Sequence, residues 1–125
     1  MSRIPPIMSL HLRYRLWIAE MNSDINVLRI FEDYLKELES KKNGQEVRTR
    51  IDYFQKQFIN LRKEIDELRH EMHIIKMKLA AYSRESKPLS YKIYQADNHT
   101  ALKKHYFGFR KIFDQIKNEF RHFEG

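Results

Sequence analysis

The sequence predicts an all-α fold, an antiparallel three-helix bundle that can equally be described as a long coiled-coil hairpin plus a third helix. Three observations point there. Apolar residues recur in steps that alternate four and three along most of the chain. Only three Gly and three Pro interrupt 125 residues, far fewer turn residues than a sheet protein needs. Asn43-Gly44 stands between the two longest periodic stretches, where a tight helical hairpin would turn.

The first helix is expected over about 9–42. Pro5 and Pro6 suggest an extended entry, because the residue before a proline avoids the helical region, and Ser9 then reads as the N-cap. Leu10, Tyr14, Trp17, Met21, Asp24, Leu28, Phe31, Leu35 and Leu38 form its seam, the a/d pattern of left-handed helix packing. Asp24 alone breaks it. An ion pair with Arg62 or Lys117 is the expected remedy, and on that reading Asp24→Leu stabilises the bundle. Lys41 and Lys42 suit the negative end of the helix dipole, and Asn43-Gly44 suits a left-handed turn.

The second helix, about 45–84, carries Val47, Ile51, Phe54, Phe58, Leu61, Ile65, Leu68, Met72, Ile75, Leu79 and Tyr82 with no polar interruption. A linker over 85–97 contains Pro88 and breaks the period. It also holds Leu89, Tyr91, Ile93 and Tyr94, so it is expected to fold over a secondary apolar strip of Ile74, Met77 and Ala81. The third helix, about 98–123 and capped by Asp97 or Asn98, restores the spacing with Leu102, Tyr106, Phe109, Phe113, Ile116, Phe120 and Phe123. Gly108 costs it about 1 kcal/mol of helix propensity. One domain spanning 1–125 follows, running up, down and up.

An axial offset follows from the turn and linker lengths. If residue 24 faces about residue 63, the third helix reaches back only to the level of Phe58. Phe31, Leu35, Leu38, Val47, Ile51 and Phe54 would then form an uncovered apolar tip, the expected contact for a second copy or a protein partner.

The chemistry that composition excludes is broad. No cysteine is present, so disulfides, thiol nucleophiles and Cys-zinc sites are ruled out. The N-terminal stretch has no secretory h-region and no run reaches about 18 apolar residues; a cytoplasmic protein with no membrane span is expected. Net charge is +7, made of 7 basic against 6 acidic residues in 1–42, 9 against 6 in 43–84 and 8 against 5 in 85–125. Spread so evenly, it reads as a solvated helical surface with a basic bias, whereas nucleic-acid binders concentrate their cations.

Two Glu-x-x-His pairs, Glu67/His70 and Glu119/His122, share the spacing used by carboxylate-bridged di-iron bundles. The heptads put His70 and Glu67 off the seam and the two pairs at different levels, so no metal site is expected. His99 falls on the seam and reads as a satisfied histidine at the end of the core. Trp17 and the other aromatics sit mostly at seam positions and read as core, not as a base-stacking surface. No phosphate loop, catalytic triad or paired-carboxylate cleft can be traced, so neither enzyme activity nor a cofactor is expected.

Phe54-Gln55-x-x-Phe58 followed by Ile65-Asp66-x-Leu68-Arg69-His70, after a Trp-containing first helix, resembles an uncharacterised family of small bacterial helical proteins. That resemblance implies a helical bundle and lends no activity. The layout is also similar to spectrin-type three-helix repeats, which come in arrays. The expected function is a non-enzymatic interaction or scaffolding bundle. The alternative is weak binding to nucleic acid or another acidic surface, and a metal-binding bundle ranks third.

Overall fold

The computed structural model describes residues 6–85 and 99–124, which form three helices: α1 (Pro6–Glu39), α2 (Gln45–Glu85) and α3 (Thr100–Glu124). No strand occurs among the described residues.

α1 begins three residues earlier than its capping pattern suggests. Pro6 is its first helical residue, and proline is well tolerated there because the first amides of a helix have no intrahelical acceptor to lose. Ser9 therefore lies inside the helix. At the other end α1 stops at Glu39, short of Lys41–Lys42, because side chains take over its last carbonyls. Ser40 Oγ donates to the Glu37 carbonyl at 2.7 Å. Asn43 Nδ2 donates to the carbonyls of Leu38 at 2.6 Å and Lys41 at 3.0 Å.

Gly44 does not adopt the left-handed conformation expected of it. Its carbonyl accepts the Arg48 amide at 3.1 Å, so Gly44 serves as the N-terminal cap of α2, a position glycine fills well. The linker expected over 85–97, the caps Asp97 and Asn98, and the fold-back over Ile74, Met77 and Ala81 lie outside the described residues, apart from Glu85 at the end of α2 and the strip itself.

The seams bury as their spacing requires. In α2, Ile51, Phe54, Phe58, Leu61, Ile65, Leu68, Met72, Ile75 and Leu79 are all buried, with Val47 partly so. α1 contributes Leu10, Tyr14, Met21, Leu28 and Leu35, and α3 contributes Leu102, Tyr106, Phe109, Phe113, Ile116 and Phe120. Every such side chain adds roughly 1.5–3 kcal/mol of gross burial, so the core alone accounts for why three polar-faced helices associate.

Cross-helix bonds give the direction of each helix. Arg69 donates to Asn22, Arg62 to Glu32 and Gln55 to Glu39, so α2 runs antiparallel to α1. Tyr106 meets Glu20, Arg110 meets Asp24 and Phe120 meets Phe31, so α3 runs parallel to α1. The up-down-up bundle is thereby confirmed, but its axial offset differs from the expected one. α2 sits about one turn further along α1, and α3 reaches well past Phe58: the Phe120 ring lies 5.0 Å from Phe54, and the Phe123 ring 5.3 Å from it.

Candidate functional site: the basic end of the bundle

That offset first decides the fate of the expected tip. Leu35, Ile51 and Phe54 are buried within the chain itself, while Phe31, Leu38 and Val47 pack against the core and are half-buried. Phe31 rests 4.6 Å from Phe120 and 5.8 Å from Phe58. Arg50 closes the end, its guanidinium 5.3 Å from the Phe54 ring and 5.6 Å from Phe123. The level expected to lie open is thus an aromatic knot supplied by α3. What remains there is an apolar niche of about 210 Å³ lined by Ile30, Phe31, Tyr34, Phe120 and Arg121.

Asp24 has a partner, but not the expected one. Arg62 instead clasps Glu32 with two bonds of 2.6 and 2.8 Å, and Lys117 lies over the Phe113 ring. Asp24 faces α3, where Arg110 donates to both its carboxylate oxygens at 2.9 and 2.5 Å. Arg110 also donates to the Tyr106 hydroxyl at 3.1 Å and pairs with Glu20 at 3.2 Å; Tyr106 in turn donates to Glu20. The rings of Tyr106, Phe109 and Phe113 surround the guanidinium at 5.4–5.6 Å.

Burial alone would lower the Arg110 pKa. The bonds with Asp24 and Tyr106 outweigh it and hold the group above its ordinary range. Burial, then the bond to Glu20, raises the Tyr106 hydroxyl. Arg110 Nε is buried and finds no acceptor among the described residues. This cluster ties α1 to α3 and uses up its own charges, so it is a structural clasp and not an open site.

Above the clasp, His99 is buried with its Nδ1 2.7 Å from the Tyr14 hydroxyl. Its ring lies parallel to the Trp17 indole. Trp17 itself stacks on Tyr106 at 5.0 Å and meets the edge of Phe107. The satisfied end-of-core role expected for His99 is what this geometry shows.

The Glu-x-x-His pairs stand apart. Glu67 and His70 are exposed on α2. Glu119 accepts the Tyr53 hydroxyl at 2.9 Å, and His122 Nδ1 lies 2.7 Å from the Asn118 carbonyl. His122 and Glu119 share an open groove with Arg50, Lys111 and Asp114, a mixture of charges with no common sign. Among the described residues no three His, Asp or Glu side chains are grouped to hold a metal ion.

What sequence order concealed is the distribution of charge along the bundle axis. The end away from the Asn43 turn comprises α1 from Pro6 to Ala19, α2 from Met72 to its last residue Glu85, and the chain from His99 to Lys104, before His105 meets Glu64. These stretches hold seven Lys and Arg residues and a single acid, Glu85. The other described residues hold fourteen basic and fifteen acidic residues. Each helix crosses both ends, so any count along the sequence averages them away.

The consequence shows in His99 and His11, at this basic end. Burial lowers the His99 pKa, and the nearby charges of Arg13 and Lys103 lower it further. Burial, then Lys76 and Arg15, lowers His11. The same end exposes large apolar side chains: Met8, Leu12 and Leu16 on α1, Ile74 and Met77 on α2, and, at its edge, Phe107 on α3. Arg13, Arg15 and Lys104 are exposed among them.

A signal for this end was available: the acid-free opening of α1 and the off-seam repeat Met8, Leu12, Leu16. Its meaning depended on knowing which stretches of α2 and α3 lie beside it. No helix among the described residues is long and apolar enough to cross a membrane. No family model, no curated protein and no solved structure matches the chain.

Proposed function

We propose that the chain is a non-enzymatic interaction module whose basic end holds an acidic partner surface. The observation that carries this reading is the segregation of seven basic residues and one acidic residue at one end, against fourteen basic and fifteen acidic elsewhere in the described residues. A low-dielectric bundle end bearing an excess of one sign of charge attracts the opposite sign and steers its approach. Exposed apolar side chains among the cations add contact area that charge alone lacks. A cytoplasmic place of action belongs to the same proposal, supported by the absence of cysteine from the sequence.

Trp17 is the sole tryptophan and lies at this end, so its emission reports engagement directly. Titration with heparin should change Trp17 emission in a saturable way. Binding should weaken at least about tenfold between about 50 and 200 mM salt, because counterions are released on association. Arg13→Glu combined with Arg15→Glu should weaken it comparably. Absence of heparin binding, or binding indifferent to that double substitution, overturns the reading.

Nucleic acid is the second reading, favoured by one feature. Phe107 is half-exposed with Lys103 Nζ 5.8 Å from its ring, a ring-plus-cation pair that suits a stacked base and its phosphate. Phe107→Ala should then weaken single-stranded DNA binding while leaving heparin binding unchanged.

A further inference from the structure

We infer that the surface docked by the basic end is an anionic lipid bilayer, met by the outer face of the first half of α1. This inference rests on the reading of that end as an acidic-surface binding site.

Met8, Leu12 and Leu16 are 57%, 50% and 60% exposed. Spaced i, i+4 and i+8, they form one stripe about two turns long. Leu12 lies midway between the buried Leu10 and Tyr14, and a two-residue step is about 200° around a helix. The stripe is therefore on the side of α1 turned away from the core. α1 is apolar on two faces, and the bundle needs only one of them.

Arg13 follows Leu12 and Arg15 precedes Leu16, so they flank the stripe on opposite sides, and both are exposed. No acidic residue occurs from Pro6 to Ala19. Leucine and methionine side chains offer nothing to a phosphate or a carboxylate, which argues against a nucleic acid or an acidic peptide as the match for this face. A bilayer of anionic lipid accepts both parts at once. The aliphatic side chains enter the boundary between headgroups and acyl chains while the guanidiniums stay at the phosphates. α1 is not apolar enough to span a membrane, so it lies along the surface, with the bundle above it.

The test is flotation of the full-length protein with vesicles of phosphatidylglycerol and phosphatidylcholine in equal parts, and with vesicles of phosphatidylcholine alone. The protein should bind the mixed vesicles at least about tenfold more tightly than the neutral ones. Leu12→Gln combined with Leu16→Gln should reduce that affinity about tenfold or more. Both positions are half-exposed or more, so the fold, followed by circular dichroism, should be unchanged. Arg13→Glu with Arg15→Glu should reduce it comparably.

Failure to float with either vesicle, or flotation that the leucine substitutions leave unaltered, overturns the inference. If vesicles fail while heparin still perturbs Trp17, only the lipid assignment falls, and the acidic partner is a protein or a nucleic acid. If both fail, the reading of this end falls with it.

Discussion

The two ends of the bundle solve the same packing problem differently. At the Asn43 end, Phe31, Phe54, Phe58, Phe120 and Phe123 close on one another, Arg50 covers them, and acids and bases mingle around the knot. At the far end the core finishes in Tyr14, Trp17, His99 and Tyr106, which are ringed by cations and exposed apolar side chains. Each end also leaves large apolar side chains outside, Ile30 and Ile59 in the first half and Met8, Leu12 and Leu16 in the second. In the second they form one stripe flanked by the exposed Arg13 and Arg15. The contrast between the two ends lies in the charge that accompanies these side chains.

Substitutions sharpen it in order of expected effect. Phe54→Ala should cost about 3–5 kcal/mol in denaturant unfolding, because the knot cannot collapse around so large a deletion. By contrast, Leu12→Gln at the opposite end should change stability by no more than about 0.5 kcal/mol. A large loss there would mean that the stripe is part of the core after all.

Asp24→Leu comes next, and the structure reverses the gain expected from sequence. The substitution leaves Arg110 partly buried with only Glu20 and Tyr106 for partners, a loss of about 3 kcal/mol. Asp24→Leu together with Arg110→Leu should fall within about 1 kcal/mol of the parent, since apolar replacement of a whole buried pair is often neutral. A double-mutant cycle by chemical denaturation measures the coupling.

A smaller effect is set by pH. Burial and neighbouring cations lower the His99 pKa from its ordinary 6.5, so the folded state binds this proton less readily than the unfolded chain. The stability due to neutral His99 is present above pH 6.5 and lost as pH falls through that value toward the lowered folded pKa. His99→Gln should therefore reduce the fall in melting temperature between about pH 7.5 and 5.5. Unchanged pH dependence would show that His99 is not the group responsible. Smallest of all, Gly108→Ala should stabilise by about 0.5–1 kcal/mol in thermal unfolding. A Cβ there meets nothing within 4 Å, and the backbone needs no glycine.

Seam residues from Leu10 to Phe120 were legible in the sequence because a four-three spacing leaves only one face to bury. The axial offset was not. Sliding one helix past another by a heptad returns every seam residue to the seam, so periodicity alone cannot choose among offsets. Particular pairs choose: Asp24 with Arg110 and Glu32 with Arg62, neither of which the spacing singles out. The expected open tip at Phe54 followed from the wrong offset. The basic end escaped notice for a related reason, since Arg15, Lys76 and Lys103 are far apart in sequence and become neighbours only once the helices are aligned.

Binding at that end is tested most directly by paired charge reversals. Arg13→Glu with Arg15→Glu and Arg48→Glu with Lys56→Glu remove the same charge from exposed positions at opposite ends. On immobilised heparin, the first variant should elute at clearly lower salt than the second, which should stay near the parent protein. Coincident elution of the two variants, or the reverse order, would contradict a binding surface confined to the basic end.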